Sequence, residues 1–203
     1  YHLVPVALTR GVFHPKCCYL EGPDGDLLAI GSGNLTFGGY GRNLEVLDLL
    51  SPEASPDVFR EFGGFLNALR RRTDLQCPEP KWMDIFANCA FVAAGNAPSE
   101  PDRSAWLVHS VDRPIIDQVK ILLEPRGPIE RLTVLSPYHD PDGRAIRTLA
   151  EETHPHQLAI GLEPLVTPDR LATALSLMAD CDLLHWHNTT KGYSASEVIA
   201  DRA

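Results

Sequence analysis

Apolar and polar residues alternate with a two-residue period in three runs near the start of the chain, VFHPKCCYL, LLAIGSGN and NLEVLDLL, which predicts three strands. The same period sorts their polar residues by face: His14 with Lys16, Ser32 with Asn34, and Asn43 with Glu45. The preceding run LVPVAL reads as a strand in which Pro5 favours an edge or irregular position. After Leu50 the period changes. In SPEASPDVFREFGGFLNALRRR, Ser-Pro marks a helix start, and Val58, Phe59, Phe62, Phe65, Leu66 and Leu69 recur at helical spacing, predicting about four turns packed on the strands.

From Thr73 to Arg103 the pattern weakens to an apolar stretch around Ile85 to Ala94 followed by GNAPSEPDRS. That composition places a boundary near residues 95–104, with a first lobe over 1–95 and a second over 104–203. Beyond it, WLVHS reads as a short strand and DRPIIDQVKILLEP as a Pro-started helix with Ile115, Ile116, Val119, Leu122 and Leu123 inward. RLTVLS reads as a buried strand, GRAIRTLAEE as a helix and QLAIGL as a strand. TPDRLATALSLM follows as a helix capped by Thr167 with Pro168 at its first position, then DLLHWH as a last strand. Strands alternating with helices predict an α/β fold with a mixed, largely parallel sheet flanked by helices on both faces.

Composition narrows the function. With 203 residues, 44% hydrophobic and 22% charged, the chain can bury a substantial core. A net charge of −9 argues against broad electrostatic adhesion to nucleic acid or to anionic membranes, so a phosphodiester substrate needs local positive charge. The cationic run Arg70, Arg71 and Arg72 reads first as the basic end of a helix complementing its dipole. Five cysteines, with Cys17 and Cys18 adjacent and no CxxC spacing, fit buried thiols in a reducing compartment. No apolar run approaches membrane-spanning length, and the expectation is a cytoplasmic protein without membrane partners. The chain opens without Met, which reads as a piece of a larger protein.

Taken singly, the polar residues of the three strands have ordinary explanations: a half-buried His beside a Pro, a solvated Lys, a Gly-Ser-Gly-Asn turn. Together they place an imidazole, an ammonium, a hydroxyl, two carboxamides and a carboxylate at one sheet end. Those are the groups that attack and hold a phosphodiester: a nucleophile, a fixed cation, neutral donors for the non-bridging oxygens and a carboxylate to orient the nucleophile. His154-x-His156 and His185-x-His187 have the spacing of paired metal ligands on a strand, but no carboxylate or thiolate grouping accompanies them. His139 in SPYHDPDG reads as a turn-capping residue.

His14-x-Lys16, then Gly31-Ser32-x-Asn34, then Asn43-x-Glu45 resembles one half of the active site of the phospholipase D superfamily, in particular its nuclease-like members with an Asn-x-Glu element after the GSxN turn. Glu21 stands at the spacing of the family's Asp, in a hairpin, EGPDGD, longer than the common form; this sets the chain apart from lipid-cleaving members. LTVLSPYHDPDGRAIRTLAEE resembles the opening of the second half of such enzymes, and the nearest counterpart of a second His-x-Lys is His185-Trp186-His187, with His187 in the place of the Lys.

The resemblance implies two related phospholipase D-like lobes and a phosphodiesterase acting on DNA or RNA. His14 is then the nucleophile that becomes a phosphohistidine, Lys16, Asn34 and Ser32 hold the phosphate oxygens, and Glu45 fixes the imidazole tautomer. The scheme needs no metal and no cofactor. It needs a second His as acid, from residues outside the chain given, from the His185 region or from a homodimer partner. The missing second His-x-Lys supports a competing reading, a catalytically silent module for dimerisation or nucleic-acid docking in a larger assembly. Among enzymes the alternative is a phospholipase or other phosphotransferase, which would call for an apolar surface at the site.

Overall fold

The computed structural model describes residues 6–9, 11–43, 45–72, 75–76, 81–96, 103–136, 138–162, 181–185 and 199–200. It is a mixed α/β chain that divides into two compact units, Tyr1–Pro114 and Ile115–Ala203.

In the first unit β1 (Ala7–Leu8) pairs antiparallel with β5 (Leu75–Gln76). A separate sheet is formed by β2 (Cys17–Leu20), β3 (Leu27–Gly31) and β4 (Leu47–Leu50), in the order β2-β3-β4. Both pairings are antiparallel, with Cys17 opposite Ile30 and Gly31 opposite Leu47. The expectation of a largely parallel sheet fails here for a covalent reason. The connection from Leu20 to Leu27 is a tight turn closed by Gly25 N–H donating to the Gly22 carbonyl at 3.1 Å, and a parallel pair requires a crossover of a dozen or more residues.

The helix expected after Leu50 is α2 (Pro56–Arg71), with Pro56 in its first turn and Arg70 and Arg71 in its last. Its aromatic stripe forms the core. Phe59 is fully buried, Phe62, Phe65 and Leu69 nearly so, and Tyr19 from β2 stacks on Phe62 with centroids 6.0 Å apart. Phe59→Ala is therefore expected to cost about 3–5 kcal/mol of unfolding free energy, read as a lower urea midpoint.

Against α2 lies α3 (Lys81–Ala94), which the hydrophobic period did not reveal. Its buried face is made of Met83, Ala87, Ala90 and Ala94, while Ile85, Phe86 and Val92 are exposed. Small residues let the two helices approach, and the Phe91 ring lies where a Cβ on Gly63 would sit, 2.8 Å from its nearest atom.

The first unit runs further than the expected boundary near 95–104. Arg103 pairs with Glu61 at 2.6 Å, the Leu107 N–H donates to Glu61 Oε2 at 2.8 Å, and Ala105, Leu107 and Val111 pack on the core. WLVHS is accordingly not a strand: a side chain of α2, not a ladder, takes its backbone hydrogen bond. The basic run at the end of α2 is also used structurally, Arg70 pairing with Asp84 at 3.1 Å and Arg72 donating to the Val111 carbonyl at 3.1 Å.

In the second unit α4 (Ile115–Leu123) is followed by a 3-10 turn, then β6 (Arg131–Leu135), α5 (Arg144–Thr153) and β7 (Gln157–Leu162). With β8 (Cys181–His185) and β9 (Ile199–Ala200) they form a sheet of order β6-β7-β8-β9, parallel across the first two pairings and antiparallel in the last. β6 was expected to be buried, but Arg131, Thr133 and Leu135 are exposed and only Leu132 and Val134 half-buried, so one face is open. On α4, Ile116, Val119, Leu122 and Leu123 are half-buried while Ile115 is 45% exposed. Lys120 pairs with Glu152 and ties α4 to α5. The helix expected over TPDRLATALSLM, and His187, lie outside the described residues.

Candidate functional site

The strand ladder continues past its assigned ends where the chemistry lies. Gly31 N–H donates to the Lys16 carbonyl at 3.1 Å, and Ser32 N–H to the Val46 carbonyl at 3.0 Å. These two bonds set His14-x-Lys16 and Asn43-x-Glu45 on either side of the Gly31-Ser32-Gly33-Asn34 turn. The three motifs therefore meet at one end of the β2-β3-β4 sheet. His14 itself precedes β2 in irregular backbone, not within the strand as its alternation implied.

Lys16 turns its ammonium onto His14, with Nζ 2.9 Å from Nδ1 and 3.0 Å from Nε2. Glu45 is engaged differently from the expectation. Its Oε2 accepts the Ser32 hydroxyl at 2.5 Å and its Oε1 accepts Asn43 Nδ2 at 3.3 Å, while Ser32 Oγ accepts the Val46 N–H at 3.1 Å. Among the described residues no hydrogen bond joins Glu45 to His14. The carboxylate thus orients Ser32 and Asn43, and the imidazole is held by Lys16. The bend at Ser32, just past β3, turns its hydroxyl across to β4, which a strict two-residue alternation does not allow for.

After Asn34 the chain forms a short helix, α1 (Phe37–Gly41), capped by Thr36, whose Oγ1 accepts the Gly39 N–H at 3.0 Å. Sequence reading took this stretch as a Gly-rich turn. The glycines hide the helix and also permit it: a Cβ on Gly39 would stand 2.1 Å from the Asn34 carbonyl oxygen, so only glycine lets α1 close against Asn34. His14, Ser32, Asn34, Asn43 and Glu45 are exposed and Lys16 half-buried, so the cluster is open to a substrate. Its rim is apolar, with Val12 79%, Leu35 89%, Phe37 76% and Val46 73% exposed.

Glu21 does not join this cluster. It lies against Cys89 of α3, whose thiol is pushed above its ordinary range by burial first and by the Glu21 carboxylate next. Tyr19 donates its hydroxyl to Asp26, and burial with that hydrogen bond pushes the phenol up. Cys17, Cys18 and Cys89 are free thiols, and Cys17 is exposed, contrary to the expectation that they are buried.

In the second unit the capping role expected of His139 belongs to Asp140, whose carboxylate accepts the N–H groups of Arg144 at 2.5 Å and Ala145 at 3.0 Å. Those backbone donors hold its carboxyl below the usual range. His139 Nε2 is buried without a hydrogen-bond partner. His154, at φ 45°, ends α5 in the left-handed conformation, and the His156 N–H is bound to the Ile129 carbonyl at 2.9 Å. Among the described residues no group of three or more His, Cys, Asp or Glu is placed to hold a metal ion, and no helix is long and apolar enough to cross a membrane.

Set against models of protein families, against curated proteins and against solved structures, the chain matches none.

Proposed function

We propose that this chain is a phospholipase D-like phosphodiesterase, a metal-independent cytoplasmic nuclease acting on DNA or RNA through a phosphohistidine. The observation that carries the reading is the meeting of His14 and Lys16 with Ser32, Asn34, Asn43 and Glu45 at one open sheet end, joined by the Lys16–Gly31 and Ser32–Val46 backbone bonds. The relation between lobes that the resemblance implies is not part of this reading, since the described sheets differ, antiparallel in β2-β3-β4 and parallel across β6-β7-β8.

A ring nitrogen of His14 attacks phosphorus, a P–N bond forms, and the P–O bond to the leaving group breaks. The leaving oxygen takes a proton from an acid supplied by a second half-site, such as that of a homodimer partner. Water then attacks phosphorus, gives up its proton to that same group and breaks the P–N bond, restoring His14. Lys16 and Asn34 hold the charge that grows on the non-bridging oxygens. Glu45 acts one step removed, fixing the Ser32 hydroxyl and the Asn43 amide.

That placement of Glu45 also favours a second reading, a silent module of the same fold that docks nucleic acid or dimerises, because among the described residues no carboxylate is bonded to the imidazole. Turnover of a phosphodiester separates the two. The proposed scheme routes no step through a metal, and among the described residues no cluster of carboxylates surrounds the nucleophile, so hydrolysis is expected to persist in excess EDTA. Complete loss on chelation, restored by magnesium or zinc, contradicts the proposed chemistry.

A further inference from the structure

We infer that α1 is a base-stacking platform that makes this site selective for unpaired nucleotides, an inference that rests on the phosphodiesterase reading. All three aromatic rings of α2 serve the core, yet α1 leaves Phe37 and Tyr40 76% and 52% exposed. The helix is fixed to the site by two contacts. A Cβ on Gly39 would stand 2.1 Å from the Asn34 carbonyl oxygen, so the helix backbone is flush against Asn34, and the Asn43 N–H donates to the Gly38 carbonyl at 2.8 Å. Both rings are therefore held beside the groups proposed to bind phosphate.

In the sequence Phe37-Gly-Gly-Tyr40-Gly the residues between and after the rings have no side chain to crowd them. Arg42 lies over the Phe37 ring with its guanidinium carbon 5.0 Å from the centroid, so one face of that ring already carries a cation, and a base would stack on the other face or on Tyr40. Stacking on aromatic faces beside backbone-binding cations is how unpaired bases are held without sequence preference, whereas bases within a duplex cannot reach such a platform. An anionic lipid surface is the other occupant that the apolar rim would suit, and the net charge of −9 weighs against both. What favours a base is the pair of exposed rings with one cation, Arg42, beside them, where a lipid surface calls for a cluster of basic residues.

The test uses the full chain carrying His14→Asn, which binds without cleaving, and fluorescence anisotropy with a labelled oligothymidylate, an abasic oligomer of equal length and a duplex. The oligothymidylate is expected to bind about tenfold more tightly than either of the others, and Phe37→Leu or Tyr40→Leu to remove most of that preference while keeping apolar bulk. Equal affinity for thymidylate and abasic strands, a preference unchanged in both leucine variants, or binding only to phosphatidylglycerol vesicles overturns the platform. Hydrolysis of bis(p-nitrophenyl) phosphate by the unsubstituted chain reports the phosphodiesterase reading separately, so either claim can fail without the other.

Discussion

His14→Asn is expected to abolish phosphodiester turnover, with kcat falling by about 10⁴-fold or more, because the substitution removes the atom that forms the bond to phosphorus. Stability is expected to change little. His14 is exposed and precedes β2, so its removal opens no cavity, and thermal unfolding should superimpose on that of the unsubstituted chain. A variant that keeps its fold and its turnover would remove His14 from the mechanism.

Lys16→Ala is expected to lower kcat by about 10²–10³-fold with a smaller change in KM, the signature of a cation that holds charge formed in the transition state more tightly than charge in the bound substrate. Lys16 has two tasks on the geometry seen here. Its ammonium lies 2.9 Å from His14 Nδ1, so it positions the imidazole, and in the proposed mechanism it also holds the phosphate. Lys16→Arg keeps the charge but not the compact point contact, and should recover only part of the rate. Equal turnover in Lys16→Ala on every phosphodiester tried would favour the silent docking module.

The helix α2 was legible because its buried residues are large and recur at the helical period, Phe59, Phe62, Phe65 and Leu69, whereas β2, β3 and β4 were legible as short apolar runs between turns, burying only Leu28 and Ala29. The helix α3 was not, because it buries Ala87, Ala90 and Ala94 and exposes Ile85, Phe86 and Val92, so its hydrophobic pattern points the wrong way. Likewise the polar run GNAPSEPDRS read as a linker, while Arg103 within it pairs with Glu61 of α2. At the site, the period named the residues but not their partners. Alternation placed Ser32 and Glu45 on their faces, while the bend after β3 decided that they bond to each other. Nothing in the spacing showed that Glu21 would turn toward Cys89.

The most direct test of the central claim is to identify the covalent intermediate. Reacted with bis(p-nitrophenyl) phosphate, whose good leaving group reduces the need for the acid, the chain should accumulate a phosphoramidate on His14 that is stable in base and labile in acid. Mass spectrometry of the base-quenched protein should find the added p-nitrophenyl phosphoryl group on the peptide containing His14 and not in His14→Asn. A modification at another residue, or nitrophenol released undiminished by His14→Asn, would contradict the account.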